Sequence, residues 1–184
     1  MRYSKSFYLI CFIIFCVSSS MANEKNIKLN KLFNDLKVKD VSLSYQIEQK
    51  IWKIWSTHHN NEKLTKMLSE GSNLVNKQKL EEAIIIFSKV IELDPEWAEA
   101  WNKRATVFYM VGEFQKSQDD INKVLELEDR HFGALAGQGL VNIQLENYDK
   151  AIISYEKAQQ IYPTMKSPAI MIERIKELIK QQSI

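Results

Sequence analysis

Cysteine is nearly missing from this chain of 184 residues: Cys11 and Cys16 are the only two. Everything after them lacks a thiol, which excludes disulfides and Cys-ligated metals from most of the protein. Glycine and proline are scarce as well, at five and three, which argues against a turn-dense β fold. Only three histidines are present, His58, His59 and His131. The longest apolar stretch, FYLICFIIFCV from Phe7 to Val17, has eleven residues, whereas a helix needs about 20 to cross about 30 Å of hydrocarbon.

That stretch belongs to a segment of its own. Arg2 and Lys5 precede it, SSS follows it, and Ser20-Met21-Ala22 sets small residues three and one before a cut after Ala22. This is the layout of a cleavable secretory signal over 1–22, so export, to a periplasm, is the expected localisation. The alternative is an uncleaved N-terminal anchor using residues 7–22. Phe15 before Cys16 and Ile10 before Cys11 are too large for a lipoprotein signal. A mature chain without thiols suits an oxidising compartment.

Removing 1–22 leaves 23 basic and 23 acidic residues. Residues 23–63 carry 8 basic and 5 acidic, residues 64–165 carry 11 and 16, and residues 166–184 carry 4 and 2. The acidic middle repels phosphate backbones, so no nucleic-acid partner is expected. Nor is an integral span expected in the mature chain.

Internal periodicity decides the fold. LTKMLSEGSNLVNKQKLEEAIIIFSKVIELDPEW (64–97), AEAWNKRATVFYMVGEFQKSQDDINKVLELEDRH (98–131) and FGALAGQGLVNIQLENYDKAIISYEKAQQIYPTM (132–165) align without a gap. Large apolar residues open the first helix of each unit at Met67, Trp101 and Leu135. Small ones follow at Gly71, Ala105 and Gly139. The turn ends at Leu80, Phe114 and Tyr148. The second helix then places small Ala83, Ser117 and Ala151 before Phe87, Ile121 and Tyr155, with Val90, Val124 and Ala158 three later. Pro95 and Pro163 close the first and third units.

This pattern resembles the tetratricopeptide repeat (TPR) family, whose unit is a 34-residue helix–turn–helix. The resemblance implies an all-α fold: a right-handed superhelical array of three units, without catalysis, that binds other polypeptides. Asp129 stands where a closing Pro is expected, Asn142 replaces an aromatic, and only Gly112 supplies a turn glycine. IWKIW, AEAWNKRA and RHFGAL look like segments of uncharacterised exported repeat proteins of Gram-negative bacteria.

An array needs covers at its ends. Ser167-Pro168 reads as N-cap and first helical residue of a C-terminal cap within 166–184, with Met171, Ile172, Ile175, Leu178 and Ile179 on one stripe. Residues 23–63 read as an N-terminal helical cover. Leu29, Leu32, Phe33 and Leu36 mark a short amphipathic helix, and Asp40 caps a second with Leu43, Ile47, Ile51 and Ile54 on one face, flanked by Trp52 and Trp55. The second helix is expected to pack on the first unit as the second helix of a preceding unit would. Alternatively segment 27–36 lies across the groove and regulates access.

In the family, the first helices line a concave face. Here the resemblance puts Leu68, Ser72, Val75, Asn102, Thr106, Tyr109, Met110, Gly133, Ala136, Gly137, Leu140 and Ile143 in it, with Glu99 beside them. The family's clamp for a C-terminal carboxylate would need Lys, Asn and Arg where this chain has Leu68, Ser72, Lys103, Gly133 and Gly137, so an acidic C-terminal tail is not the expected ligand. Gly133 and Gly137 are one turn apart, each costing about 1 kcal/mol in a helix relative to Ala. Either they admit a helix or strand against the backbone, or they pack tightly on unit two.

No Walker-type loop, His-Glu-x-x-His spacing or nucleophile elbow occurs. The acids Glu81-Glu82, Asp119-Asp120 and Glu126-Glu128-Asp129 read as solvated faces, and His58-His59 as a solvated loop without a ligand companion. His131 reads as a packing or capping residue. No enzyme activity, metal or cofactor is expected. The leading reading is an envelope scaffold or adaptor for a peptide or helix of unknown identity. The alternatives are a subunit whose groove is filled by its own N-terminal helix or a second copy, hence a possible homo-oligomer, and a holdase-like chaperone.

Overall fold

The computed structural model describes residues 24–182. The expected signal segment 1–22 and its cleavage site lie outside the described residues. Within them the chain is helical throughout: residues 24–35 (α1), Val41–Trp55 (α2), Glu62–Asn76 (α3), Leu80–Leu93 (α4), Ala98–Met110 (α5), Phe114–Leu127 (α6), Phe132–Gln144 (α7), Tyr148–Ile161 (α8) and Lys166–Gln182 (α9). None of the described helices is long and apolar enough to cross a membrane.

The pairs α3–α4, α5–α6 and α7–α8 form three hairpins whose second helices open at Leu80, Phe114 and Tyr148, the large apolar residues at the end of each turn. The small-into-large contacts within them are tight. A Cβ at Gly71 would sit 2.4 Å from the Phe87 ring, and one at Gly139 would sit 2.5 Å from Tyr155. In the middle hairpin Ala105 takes the small position, and the Ser117 hydroxyl donates to its carbonyl at 2.8 Å. These contacts let the two helices of a unit approach closely.

The tight turns need left-handed backbone at equivalent places: Gln78 (φ 58), Gly112 (φ 80) and Glu146 (φ 59). Asn61 caps α3 by accepting from the Lys63 and Leu64 amides, and Asp40 caps α2 by accepting from Leu43 at 2.8 Å. Polar side chains here replace the backbone partners a helix start lacks. Within unit two Arg104 donates twice to Asp120, at 2.8 Å each, and it reaches unit one with a bond to Ser88. Asp120 is therefore buried, not part of a solvated acid run. Trp101 also departs from expectation. It is half-buried, with its indole N–H on the Pro95 carbonyl, while Trp97 is the buried one.

At the C-terminal end, Ile172 and Ile175 of α9 pack on Ala151 and Tyr155. The helix begins at Lys166, one residue before the expected Ser167 cap. Leu178, assigned to the apolar stripe, is exposed.

The N-terminal helices differ most from the sequence reading. Their apolar faces form one cluster with Phe132 and Tyr162, in the third unit, and are separate from the cluster that joins α3 to α4. Hence α2 does not stack on unit one as a preceding second helix. It runs along the edge carrying the inter-unit loops, opposite to the order of the units. Ser44 meets Thr164 at 2.6 Å, Glu48 accepts from the Tyr162 hydroxyl at 3.1 Å, and the Trp55 carbonyl accepts from the Trp97 indole at 2.7 Å. The buried face is Ser44, Ile47, Ile51 and Trp55; Leu43 points outward. Helix α1 lies on α2 through Leu29, Leu32, Phe33 and Leu36. It is tied to the array where Arg130 bonds Asn30 at 2.6 Å and covers the Phe33 ring at 4.3 Å.

Candidate protein-binding groove

The first helices α3, α5 and α7 supply every residue expected in the concave face, and the structure divides those residues into three groups. Leu68 is buried and Val75 partly buried in the cluster of the first hairpin, and the Ser72 hydroxyl bonds back to the Leu68 carbonyl at 3.0 Å. Ala136 and Ile143 pack toward the cluster that α9 closes. Those five serve as scaffold. Between them, Asn102, Thr106, Tyr109, Gly133, Gly137 and Leu140 converge on one recess of about 70 Å³, floored by Ala105 and Ile121. Met110, the twelfth, is exposed beside Tyr109 at the end of α5, and Leu140 is exposed too.

The two glycines have different surroundings. A Cβ at Gly133 would come within 2.6 Å of the Trp52 indole, so this glycine does admit a helix against backbone, and the helix is the chain's own α2. At Gly137 the nearest atom is Ile121 Cδ1, at 3.7 Å, which is ordinary contact. Packing on unit two is therefore no tighter than ordinary contact at Gly137, which stays half-exposed at the recess.

Sequence reasoning missed the cluster at the rim. Trp55 stacks flat on His131 with centroids 4.0 Å apart, and Trp52 meets His131 and Phe132 edge-on. Beneath them lies Glu99, which the family pattern assigned to the open groove and which is fully covered. His131 Nδ1 accepts from the Ala134 amide at 3.0 Å, capping α7. Its proton therefore sits on Nε2, which donates to Glu99 Oε2 at 3.1 Å. Asn102 donates to the same oxygen at 3.0 Å. Lys103 Nζ lies 3.1 Å from Oε1, off the line of a good hydrogen bond, and acts as a neighbouring charge. Burial pushes the Glu99 carboxyl up, but the His131 hydrogen bond and the Lys103 ammonium outweigh it and hold the group below its ordinary value. The legible signal was RHFGAL against AEAWNKRA: a histidine just before one first helix, and a glutamate in the first turn of the preceding one.

His58 also departs from the sequence reading. It is buried, its Nδ1 accepts from the Asn61 amide at 3.1 Å, and its Nε2 meets Asp94 at 2.6 Å. It clips the α2–α3 loop to the end of α4. His59 stays exposed, and among the described residues no group of three His, Cys, Asp or Glu side chains is placed to hold a metal.

A family model described as tetratricopeptide repeat matches residues 68–96 and 133–165, the first and third hairpins, and the second repeats their geometry between them. The chain carries tetratricopeptide repeats. A TPR repeat-containing protein of Rhizobium etli is 27% identical over 151 residues, covering 82% of this chain and 74% of that one. Hsp70-Hsp90 organizing protein 1 of Glycine max is 26% identical over 62% of this chain, which spans only 20% of that protein. Among solved structures, the first TPR of Spaghetti (RPAP3) bound to HSP90 peptide SRMEEVD superposes with TM-score 0.63 at 19% identity, over 66% of this chain and 96% of that one. MamA superposes with TM-score 0.60 at 24% identity, over 75% and 78%. At those identities the structural likeness speaks for the TPR fold.

Proposed function

We infer that this TPR protein is an exported, non-catalytic scaffold that holds a peptide or helix of another envelope protein in the part of its concave face that α2 leaves free. The observation that carries this reading is the division of the groove. Trp52 and Trp55 fill its inter-unit edge, whereas Thr106, Gly137, Leu140 and Met110 remain accessible around an apolar recess. Adaptable Met and aromatic side chains on an open concave face are what a polypeptide ligand needs. TPR domains of the co-chaperone type, such as the one solved with an HSP90 peptide, lend support to polypeptide binding in general. The acidic-tail mode is not carried over, because this chain has Leu68, Ser72, Gly133 and Gly137 where that mode needs cations and amides. Export rests on the layout of residues 1–22.

The test is photo-crosslinking in the native compartment from positions 110 and 140, with position 85 on exposed Ile85 as control. The same partner should appear from both groove positions, not from the control, and its capture from position 140 should be lost on Tyr109→Ala with Met110→Ala. Gly137→Leu should also abolish capture while thermal stability is kept, because Gly137 makes only ordinary contact. Equal labelling from all three positions overturns the groove. Fractionation and N-terminal sequencing test export, and a mature chain beginning at Asn23 is the expected result.

A second reading has its own support: a structural subunit whose groove is filled permanently by its N-terminal helix. The Trp52–Gly133 and Trp55–His131 contacts favour it. Mild proteolysis separates the two. Ready cutting within residues 23–40 of a monomer favours the adaptor, and resistance throughout favours the filled subunit.

A further inference from the structure

The outward face of the N-terminal hairpin carries a feature that the groove does not use. Lys28 and Lys31 on α1, and Lys50 and Lys53 on α2, line one crevice of about 590 Å³ with Leu32, Ile54 and a single acid, Asp35. All four lysines are exposed, and none has a described acidic partner in ion-pair range. A second crevice of about 330 Å³ continues the first, sharing Lys28, Lys53 and Ile54 and adding Lys25, His59 and Glu24. Ile27, one turn before Lys31 on the same side of α1, is 61% exposed. Two continuous crevices walled by cations, with an apolar side chain standing out beside them, make a band and not a closed pocket for one small molecule.

We propose that this band is a docking face for an anionic phospholipid surface: the four lysines meet headgroup phosphates and Ile27 enters the acyl boundary. Four exposed lysines beside a single acid set up a positive field that attracts an anionic surface, and each Lys held near such a surface strengthens binding about fivefold. An exposed large apolar residue among cations is what an interfacial helix presents to lipid. Chain connectivity points the same way. The apolar run 7–17 ends ten residues before Ile27, so until the expected cut after Ala22 the band stays within about 35 Å of a bilayer that holds that run. The groove opens on the first helices, while α1 and α2 bury their other face on the array. Docking by the band therefore leaves the recess at Gly137 accessible.

The experiment is co-sedimentation of the full chain with phosphatidylcholine vesicles, and with vesicles in which a third of the lipid is phosphatidylglycerol. Residues 7–17 add the same apolar contribution to both, and Arg2 and Lys5 add the same charge to parent and variant, so the band is read from the part of the difference that its four lysines carry. Expected are an at least tenfold stronger partition on the anionic vesicles, loss of that increment in high salt, and loss of it in the Lys28→Ala, Lys31→Ala, Lys50→Ala, Lys53→Ala variant with unchanged far-ultraviolet melting. Ile27→Ser should weaken the anionic partition without altering its salt dependence. Equal partition on the two vesicle types overturns the proposal. So does tight, lysine-dependent binding of polyglutamate or inorganic phosphate without an anionic-vesicle increment, which would assign the band to an acidic peptide or a free anion. Should the quadruple variant melt early, Lys28→Ala with Lys53→Ala, the two lysines common to both crevices, decides in its place: loss of part of the anionic increment supports the band and an unchanged increment overturns it.

Discussion

At the residue scale, backbone strain and buried charge make the clearest demands. Gln78 and Glu146 hold left-handed conformations that Gly112 adopts at the equivalent turn of the middle unit. An L-residue there costs about 1–2 kcal/mol, partly offset by glycine's larger entropy loss. Gln78→Gly and Glu146→Gly should each raise stability by roughly 0.5–1 kcal/mol in urea unfolding. Glu99 acts through pH. Its folded-state value lies below the ordinary 4.5, so its contribution is present above the unfolded value and is lost as pH falls through the folded one. Acidification from neutrality through the carboxylate range should therefore destabilise the protein more than it destabilises Glu99→Gln, whose acid limb should be flatter.

At the element scale, Trp97, the N-cap residue of α5, and Trp101, in its first turn, differ in burial. Trp97→Ala removes a buried ring and its bond to the Trp55 carbonyl, and should cost about 3–5 kcal/mol in chemical unfolding. Trp101→Ala should cost clearly less, since its ring is half-exposed. Much of the array was legible from the sequence. Gly71, Ala105 and Gly139 opposite Phe87, Ile121 and Tyr155 announced the hairpins because close helix approach demands small residues at fixed places. What escaped was where α2 goes. Its period of Ile47 and Ile51 gives a helix with one apolar face but says nothing of which surface that face meets. The answer depends on Ser44 reaching Thr164, a pairing no local pattern encodes. For the same reason Leu68 looked like a groove residue and proved to be core: its family position was right, but the first unit turns it inward. Glu99 looked like an open-groove residue and Asp120 like a solvated one because their partners His131 and Arg104 lie 16 or more residues away in the chain.

At the scale of the whole molecule, the N-terminal hairpin touches every junction of the array: His58 on Asp94, Trp55 on Trp97 and His131, Ser44 on Thr164. Removing its wedge with Trp52→Ala and Trp55→Ala should weaken docking by about 3 kcal/mol or more. That is over a hundredfold in the opening equilibrium, read as faster proteolysis within 24–60 while helices α3 to α9 persist. Ordinary repeat arrays are quasi-one-dimensional and lose their end units first. This one is strapped lengthwise, so a single cooperative transition by circular dichroism and by tryptophan fluorescence is expected. The strap also sets an order in time. Ser44 is made early and Thr164 follows 120 residues later, so the last buckle can fasten only once nearly the entire polypeptide has emerged. The tryptophans of α2 likewise wait for Trp97, His131 and Phe132, and a chain passed across a membrane in unfolded form would find its final shape only on the far side.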